Sequence, residues 1–162
     1  IEGAKVIAAV GSDKKKKFIE QFEPDLVINY QKENLKDVVE KKFGKRSVNV
    51  FYDQVGGDPY EEGLRLLSSE GRALIVGFAS GNIPSQLLSY LLVRNISLMG
   101  VFMISFENDD KEYLETRMKT IFDRYLSKEI KPVYKTINFD EIVKYLEFIG
   151  SRKTIGRIVA LR

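Results

Sequence analysis

Short apolar runs alternate with longer amphipathic stretches along most of this chain. An apolar run of about 4–8 residues is typical of a strand buried on both faces, whereas apolar residues spaced three and four apart are typical of a helix. Strands and helices in regular alternation form βα units, whose parallel sheet is covered on both sides. The pattern therefore predicts an α/β fold built on a doubly wound, mainly parallel sheet.

The individual elements follow from the apolar runs and from the glycine, proline and capping residues that bound them. The predicted strands are Lys5–Val10, Leu26–Asn29, Val48–Tyr52, Ala73–Val76, Ile96–Val101 and Arg157–Leu161, with an extended segment at Pro132–Ile137. The predicted helices are Lys14–Phe22, Asn34–Phe43, a segment from Pro59 with Leu64, Leu66 and Leu67 on its apolar face that ends before Gly71, Gln86–Val93, Asp109–Leu126, and a segment capped by Asp140 that ends at Gly150. The connections are short, so residues 1–162 are predicted to form a single domain.

Composition excludes several kinds of site. The chain has no Cys and no His, which removes disulfides, thiolate metal sites, the usual base of catalytic triads and the commonest zinc ligand, so no metal site is expected. A net charge of +3 is too small to indicate nucleic-acid binding by itself. The apolar runs fall short of the ~20 residues that span a bilayer, and no signal peptide is recognisable. We expect the protein in a reducing compartment. This compartment is the cytoplasm, or an organellar matrix if a targeting segment is missing.

The residues after each predicted strand are the candidates for ligand binding, because open α/β sheets bind ligands outside the carboxyl ends of their strands. Glycine occurs in several of these loops, and a backbone without a side chain can approach a flat cofactor closely. The loops are Gly11–Asp13, Asn29–Tyr30, Asp53–Gly56, Gly77–Ser80 and Val101–Met103.

The first loop carries a signal about the coenzyme. Domains selective for NAD place an acid at the end of their second strand, where it binds the ribose 2′-hydroxyl. If Lys5–Val10 is that strand, the acid's position holds Gly11, followed by Ser12 and Lys14–Lys17. A small residue leaves room for a 2′-phosphate, which hydroxyl and ammonium groups bind. Alternatively, the lysines are only the solvated first turn of a helix, although that position opposes the helix dipole.

Several ordered motifs resemble the medium-chain dehydrogenases/reductases, in particular the zinc-independent, zeta-crystallin-like quinone oxidoreductases. The motifs are Gly3-Ala-Lys-Val-Ile7, Val27-Ile-Asn-Tyr30, Val50-Phe-Tyr-Asp-Gln-Val-Gly-Gly57, Gly71-Arg-Ala-Leu-Ile-Val-Gly-Phe-Ala-Ser-Gly81 and Thr154-Ile-Gly-Arg-Ile-Val159. The resemblance covers nearly the whole chain. It implies a Rossmann-like domain and an NADPH-dependent reductase that acts on quinones, enones or similar activated double bonds.

The resemblance also assigns coenzyme contacts residue by residue. Those to the 2′-phosphate fall on Gly11, Ser12, Lys15 and Tyr30. Those along the rest of the dinucleotide fall on Val55, Gly77, Phe78 and Ser80, and Val101, Phe102 and Met103 are expected beside the nicotinamide. Tyr30 and Phe102 also suit a packing role, and Ser80 suits a plain turn. No catalytic residue is assigned, and Asp53 is expected to brace a loop rather than act as an acid.

Two features of that family are absent from this sequence. There is no G-x-G-x-x-G turn, and the catalytic domain that precedes it is not represented. The chain, which begins at Ile1 and has its first methionine at Met99, therefore resembles a coenzyme-binding half that lacks the first strand. In the usual order 3-2-1-4-5-6, this loss leaves two central strands without a shared neighbour. Three alternatives follow. The sheet is completed by a segment outside the given sequence, or the structure contains only part of a larger molecule, or the strands rearrange.

Three classes of function fit these observations. The leading one is an enzyme that transfers hydride from NADPH to a small electrophile. A non-catalytic nucleotide-binding or structural protein is the second, since fold does not fix function. A methyltransferase is the third, although Gly11 stands where that class would need an acid. A homodimer is expected through the apolar edge strand Ile96–Val101, unless the segment Pro132–Ile137 covers that edge.

Overall fold

A computed structural model describes residues 3–105, 110–151 and 153–162. The described residues up to 105 form one compact unit, and those from 110 onward form a second. Every strand pairing found within these ranges is parallel. The predicted α/β fold with a Rossmann-like parallel sheet is therefore confirmed, whereas the assignment of residues 1–162 to a single coenzyme-binding domain stays a prediction.

Strands and helices alternate regularly between residues 7 and 100 of the first unit. They are β1 (Ile7–Val10), α1 (Asp13–Glu20), β2 (Leu26–Asn29), α2 (Leu35–Phe43), β3 (Val48–Asp53), α3 (Asp58–Leu66), β4 (Leu67–Ile75), α4 (Leu88–Arg94) and β5 (Ser97–Gly100).

Local capping explains where the early helices begin. The Ser12 hydroxyl accepts a hydrogen bond from the backbone N–H of Lys15 at the start of α1. The Asn34 side chain accepts one from the backbone N–H of Asp37 at the start of α2. Pro59 stands in the first turn of α3, where its missing N–H has no helical partner to lose. These starts lie within a few residues of the predicted ones, because caps are encoded locally.

The five strands of the first unit form two separate pieces of sheet. Strand β1 pairs only with β2, while β3, β4 and β5 pair in that order. The strands β1 and β3 therefore have no shared neighbour among the described residues, as the missing first strand predicts. Among the residues that the structure describes, the strands do not rearrange to close the gap between β1 and β3.

Helices α2 and α3 hold the two pieces of sheet together. Val39 of α2 and Leu66 of α3 belong to one buried cluster with Ile28 of β2, and Ile7 and Val48 pack against it. The side chain of Glu62 on α3 also accepts a hydrogen bond from the backbone N–H of Lys36 on α2, at 3.2 Å. The apolar contacts across this helical layer stabilise the arrangement even where the sheet is interrupted.

The end of α3 differs from the sequence prediction. The apolar spacing extends this helix through Leu67 and up to Gly71, but β4 begins at Leu67. Leu67 is fully buried and stands opposite Val48 of β3, with an irregularity in the register before Val50. Pairing with a strand distant in sequence therefore overrides the helical pattern at this point.

The second unit contains α5 (Lys111–Leu126), β6 (Tyr134–Asn138), α6 (Ile142–Gly150) and β7 (Arg157–Leu161), with β6 paired to β7. The predicted start of α5, Asp109, lies outside the described residues, and Asp110 caps the helix by accepting from the N–H of Tyr113. The predicted cap at Asp140 is wrong. Residues Phe139–Glu141 form a 3₁₀ turn, in which the Glu141 carboxylate accepts from the N–H of Asn138.

No described helix combines the length and the apolar character that crossing a lipid bilayer requires. The cytoplasmic location stays a prediction.

Candidate functional site

The first corner of the candidate site consists of Gly11, Ser12, Lys15 and Tyr30, at the carboxyl ends of β1 and β2. The backbone N–H of Tyr30 donates to the carbonyl of Val10 at 3.0 Å, which joins the tips of the two strands. An ideal Cβ on Gly11 would lie only 2.7 Å from the Tyr30 hydroxyl oxygen. A larger side chain at position 11 would therefore displace Tyr30, so the glycine keeps the tyrosine hydroxyl over this corner.

Two carboxylates beside this corner are engaged by lysines, which the sequence reasoning did not foresee. Glu33 accepts from the ammonium of Lys16 at 2.8 Å, and Asp13 accepts from the ammonium of Lys32. The hydrogen bond from Lys32, with a second from Asn29, holds the pKa of Asp13 below its ordinary value. The bond from Lys16, with the backbone N–H of Asn29, lowers the pKa of Glu33 likewise. Lys16 is thus part of a structural ion pair.

Asn29, which the sequence placed in a candidate loop, organises these contacts. Its side chain is buried, and its amide donates to the Asp13 carboxylate at 2.6 Å. Its side-chain oxygen accepts from the N–H of Gln31, and its backbone N–H donates to Glu33. The signal in the sequence is a polar residue at the end of an apolar strand. A buried side-chain amide at such a position needs hydrogen-bond partners, and so indicates a local network.

The second corner consists of residues 53–57 and 77–82, after β3 and β4, and is braced by Asp53. This carboxylate is only 3% exposed. It accepts from the backbone N–H of Val55 at 2.9 Å and from that of Gly56 at 3.1 Å. The expectation that Asp53 braces a loop agrees with these bonds, because both donors are backbone N–H groups of its own loop.

Backbone hydrogen bonds join the two loops of the second corner. The N–H of Ala79 donates to the carbonyl of Gln54 at 3.0 Å, and the N–H of Ser80 donates to the carbonyl of Val55 at 2.9 Å. The structure therefore brings Val55, Gly77, Phe78 and Ser80 together, as the sequence assignment of these four residues requires.

Gly56 makes this close approach of the loops possible. It has a φ of +71°, and an ideal Cβ would lie 2.5 Å from the backbone oxygen of Asn82. The neighbouring Gly57 has a φ of +62° and lies beside the Ser80 hydroxyl. The sequence placed Gly56 in a candidate loop, but its role could not be predicted because its partner Asn82 is distant in sequence.

The three residues that are predicted to lie beside the nicotinamide, Val101, Phe102 and Met103, follow β5. The N–H of Val101 donates to the carbonyl of Ile75 at 2.9 Å, which places this loop beside the end of β4. Phe102 is 65% exposed and Met103 is 57% exposed. Both apolar side chains are therefore largely exposed at the same edge of the sheet as the second corner.

An open cleft separates the strands that carry the two corners. It has a volume of about 640 Å³ and lies between β1 and β3. Tyr30 of the first corner and Val55 of the second both line it. The two corners therefore face one cleft at the carboxyl ends of the strands, where open α/β sheets bind ligands.

Residues 1–120 match the family described as zinc-binding dehydrogenase. The chain belongs to this family. It is 44% identical over 157 residues to quinone oxidoreductase-like protein 2 of Rattus norvegicus. This match covers 96% of the present chain and 45% of the rat protein. It is 27% identical over 161 residues to a 2-haloacrylate reductase of Burkholderia sp., spanning 98% of this chain and 48% of that protein.

A solved structure shows the same fold. The quinone oxidoreductase of Escherichia coli, in complex with NADPH, superposes with a TM-score of 0.87 at 25% identity and covers 99% of this chain and 50% of that one. The predicted membership of the quinone oxidoreductase branch of the medium-chain dehydrogenases/reductases is confirmed. The chain spans about half the length of the relatives that it matches.

The residues of this chain do not fit the zinc of the family's description. The chain has neither Cys nor His. Within the ranges that the structure describes, no three acidic side chains are grouped so that they would hold a metal ion. We therefore assign no role to zinc in this part of the fold.

Proposed function

We propose that this chain is the coenzyme-binding part of an NADPH-dependent oxidoreductase that transfers hydride to quinones, enones or similar activated double bonds. The first corner carries the proposal. Gly11 stands where NAD-selective domains have an acid, and the nearest neighbours of its absent side chain are atoms of Tyr30. The named relatives, a quinone oxidoreductase bound to NADPH and a 2-haloacrylate reductase, support the same class of reaction.

The chemistry of the first corner suits a phosphate monoester. The Tyr30 hydroxyl and the Ser12 hydroxyl at the N-terminus of α1 are donors of the kind that bind phosphate oxygens. Lysines dominate the local charge, since the cations Lys14–Lys17 and Lys32 accompany the carboxylates Asp13 and Glu33. A 2′-phosphate would gain from this charge, whereas a ribose hydroxyl would not.

The second corner and the loop after β5 would hold the rest of the coenzyme. The bound nicotinamide would supply the hydride, and the protein's contribution would be orientation and exclusion of water. Val55, Gly77, Phe78 and Ser80 would line the dinucleotide, and the exposed side chains of Phe102 and Met103 would pack beside the nicotinamide. No residue of this chain is proposed as a proton donor.

The coenzyme preference of the whole protein tests the first corner. Lys15→Glu is expected to raise the Kd for NADPH at least about tenfold, because one reversed charge beside a phosphate costs ~1.4 kcal/mol or more. The Kd for NADH should change far less. Lys41→Glu, in the last turn of α2, introduces the same charge change as a control. Equal losses for both coenzymes would remove the 2′-phosphate assignment.

Turnover separates an enzyme from a non-catalytic nucleotide-binding protein. The whole protein should oxidise NADPH in the presence of a simple quinone, an enone or 2-chloroacrylate, monitored at the NADPH absorbance. Tight NADPH binding without consumption for any of the three acceptors would favour the non-catalytic class.

We further propose that the protein forms a homodimer through the outer edge of β5. This strand pairs with β4 on one side only within the described sheet. The neighbouring helix α4 leaves Leu88, Leu92 and Val93 about 80% exposed. A second copy that pairs at this edge would cover an apolar surface that otherwise favours aggregation.

A proline at Gly100 tests this interface. Gly100 directs its backbone away from β4, because the adjacent Val101 is the residue that bonds to Ile75. Gly100→Pro should therefore shift the sedimentation coefficient from dimer to monomer while β4 pairing persists. Gly100→Ala is the control, since a Cβ there meets nothing within 4 Å and the N–H is kept. A Gly100→Pro protein that remains dimeric would place the interface elsewhere.

A further inference from the structure

The first corner contains an acid close to the proposed position of the phosphate. Asp13 directly follows Ser12 and lies in the first turn of α1. Its side chain is 61% exposed, so burial does not hide its charge from a ligand. An acid at this edge of the sheet binds the ribose 2′-hydroxyl in NAD-selective domains, whereas a carboxylate and a phosphate repel each other. The coenzyme preference of the corner therefore depends on how the charge of Asp13 is compensated.

The loop after β2 holds both oxygens of the Asp13 carboxylate. The buried Asn29 amide donates to one oxygen at 2.6 Å, and the Lys32 ammonium donates to the other. The Asn29 carbonyl accepts from the backbone N–H of Lys32 at 2.9 Å, which fixes the residue that carries this ammonium. The same loop carries Tyr30, so one short segment positions both the tyrosine hydroxyl and the partner of the acid.

The ion pair between Asp13 and Lys32 joins the two elements that form the first corner. Asp13 is adjacent to Ser12 on α1, and Lys32 lies two residues beyond Tyr30. The hydrogen bond between the pair raises the pKa of Lys32 and lowers the pKa of Asp13, so both groups are charged at neutral pH. Because both side chains are exposed, the pair adds little to the stability of the fold. Its main consequence is that the corner carries no uncompensated charge from Asp13.

We propose that Lys32 is a specificity-determining residue, which favours NADPH over NADH by pairing with Asp13. Lys32 acts without contacting the coenzyme, because it holds the carboxylate toward the loop after β2 and neutralises its charge. Without Lys32, Asp13 presents a negative charge beside Ser12, which opposes a 2′-phosphate and tolerates a ribose hydroxyl. This inference rests on the proposed assignment of the first corner to the 2′-phosphate.

Coenzyme binding by Lys32 variants of the whole protein tests the proposal. Lys32→Met removes the charge with little change in side-chain length, and should raise the Kd for NADPH about fivefold, because the free carboxylate repels the phosphate. The Kd for NADH should stay the same or fall. Lys32→Arg keeps the charge and the donors, and should retain the wild-type preference. Isothermal titration calorimetry measures both constants.

A double-mutant cycle with Asp13→Asn separates action through Asp13 from direct contact with the phosphate. If Lys32 acts through Asp13, Lys32→Met should change the Kd for NADPH less than about twofold once the acid is absent. If the lysine instead binds the phosphate, the full loss should persist in the Asp13→Asn background.

The ion pair between Glu61 and Arg65 provides a matched control. Its side chains are 67% and 57% exposed, close to the 61% and 66% of Asp13 and Lys32. Arg65 lies in the last turn of α3, just before β4 begins, and therefore at the edge of the sheet opposite to both corners. Arg65→Met should change neither Kd. Raising the ionic strength to ~1 M, where the Debye length is about 3 Å, should abolish most of the Lys32→Met effect.

Three results would overturn the proposal: Lys32→Met weakens both coenzymes equally, it leaves NADPH binding unchanged, or it has the same effect with and without Asp13. The first would give Lys32 a structural role, the second would show that the ion pair does not affect binding, and the third would make the lysine a phosphate ligand. Failure of the proposed function is distinct, because it would appear in the wild-type protein as equal affinity for NADPH and NADH.

Discussion

The two corners of the candidate site lie at the same edge of the fold but are held by different forces. The first corner depends on ion pairs between partly exposed side chains, Lys16 with Glu33 and Lys32 with Asp13. The second depends on the buried Asp53 carboxylate and on backbone bonds between two loops. Exposed pairs contribute little to stability, whereas a buried brace leaves unsatisfied donors when it is lost. The charge of the first corner can therefore change without loss of the fold, and the shape of the second cannot.

The largest effect is expected at Gly56 of the second corner. Gly56→Ala should lower the free energy of unfolding by about 2–4 kcal/mol, because it combines a left-handed backbone with a contact of 2.5 Å to the oxygen of Asn82. Gly81→Ala should cost only about 1–2 kcal/mol, since Gly81 has a similar φ of +82° and open space around it. Urea denaturation of the two variants measures the difference, and equal losses would show that the loop contact carries no strain.

A smaller effect is expected from removal of the brace itself. Asp53→Ala should cost about 1.5–3 kcal/mol of unfolding free energy, because the N–H groups of Val55 and Gly56 lose a charged acceptor. Asp53→Asn keeps one acceptor oxygen and should cost about 1 kcal/mol. The same denaturation experiment applies. If Asp53→Ala left the free energy of unfolding unchanged, water would replace the carboxylate as acceptor. Substitutions would then affect the stability of the two corners equally little.

The smallest effect is expected at the first corner and depends on pH. The pKa of Glu33 is lowered from its ordinary value of 4.5 by Lys16, so its contribution is present above that value and is lost as the pH falls through the lowered pKa. The unfolding free energy should therefore decrease as the pH falls below 4.5 and through the lowered pKa of Glu33. Glu33→Gln should make this decrease shallower, and Glu20→Gln, on the exposed last turn of α1, serves as the control. Identical pH profiles for wild type and Glu33→Gln would show that the ion pair does not stabilise this corner.

Most of the secondary structure was predictable because its signals are local. The strand Leu26–Asn29 and the helix ending at Phe43 occur at their predicted bounds or within one residue of them. The failures occur where a distant partner decides. Leu67 continues the helical spacing of α3, yet it starts β4 because it pairs with Val48.

The sequence predicted the positions of the glycines in the candidate site better than the partners of its charged side chains. The run Lys14–Lys17 indicated a cationic corner, but nothing in the sequence showed that Lys16 would bond Glu33 or that Asn29 would bond Asp13. These pairs join the start of α1 to the end of β2, and the sequence does not contain their spatial proximity.

The order of apolar runs, caps and glycines by itself determined the α/β class and the parallel pairing, because both follow from chain-local patterns and their alternation. The tertiary structure alone decided that the gap persists as a cleft, that Tyr30 lies over Gly11, and that Asn82 meets Gly56. Each of these facts depends on contacts between residues far apart in sequence, and such packing is a property of the whole folded unit.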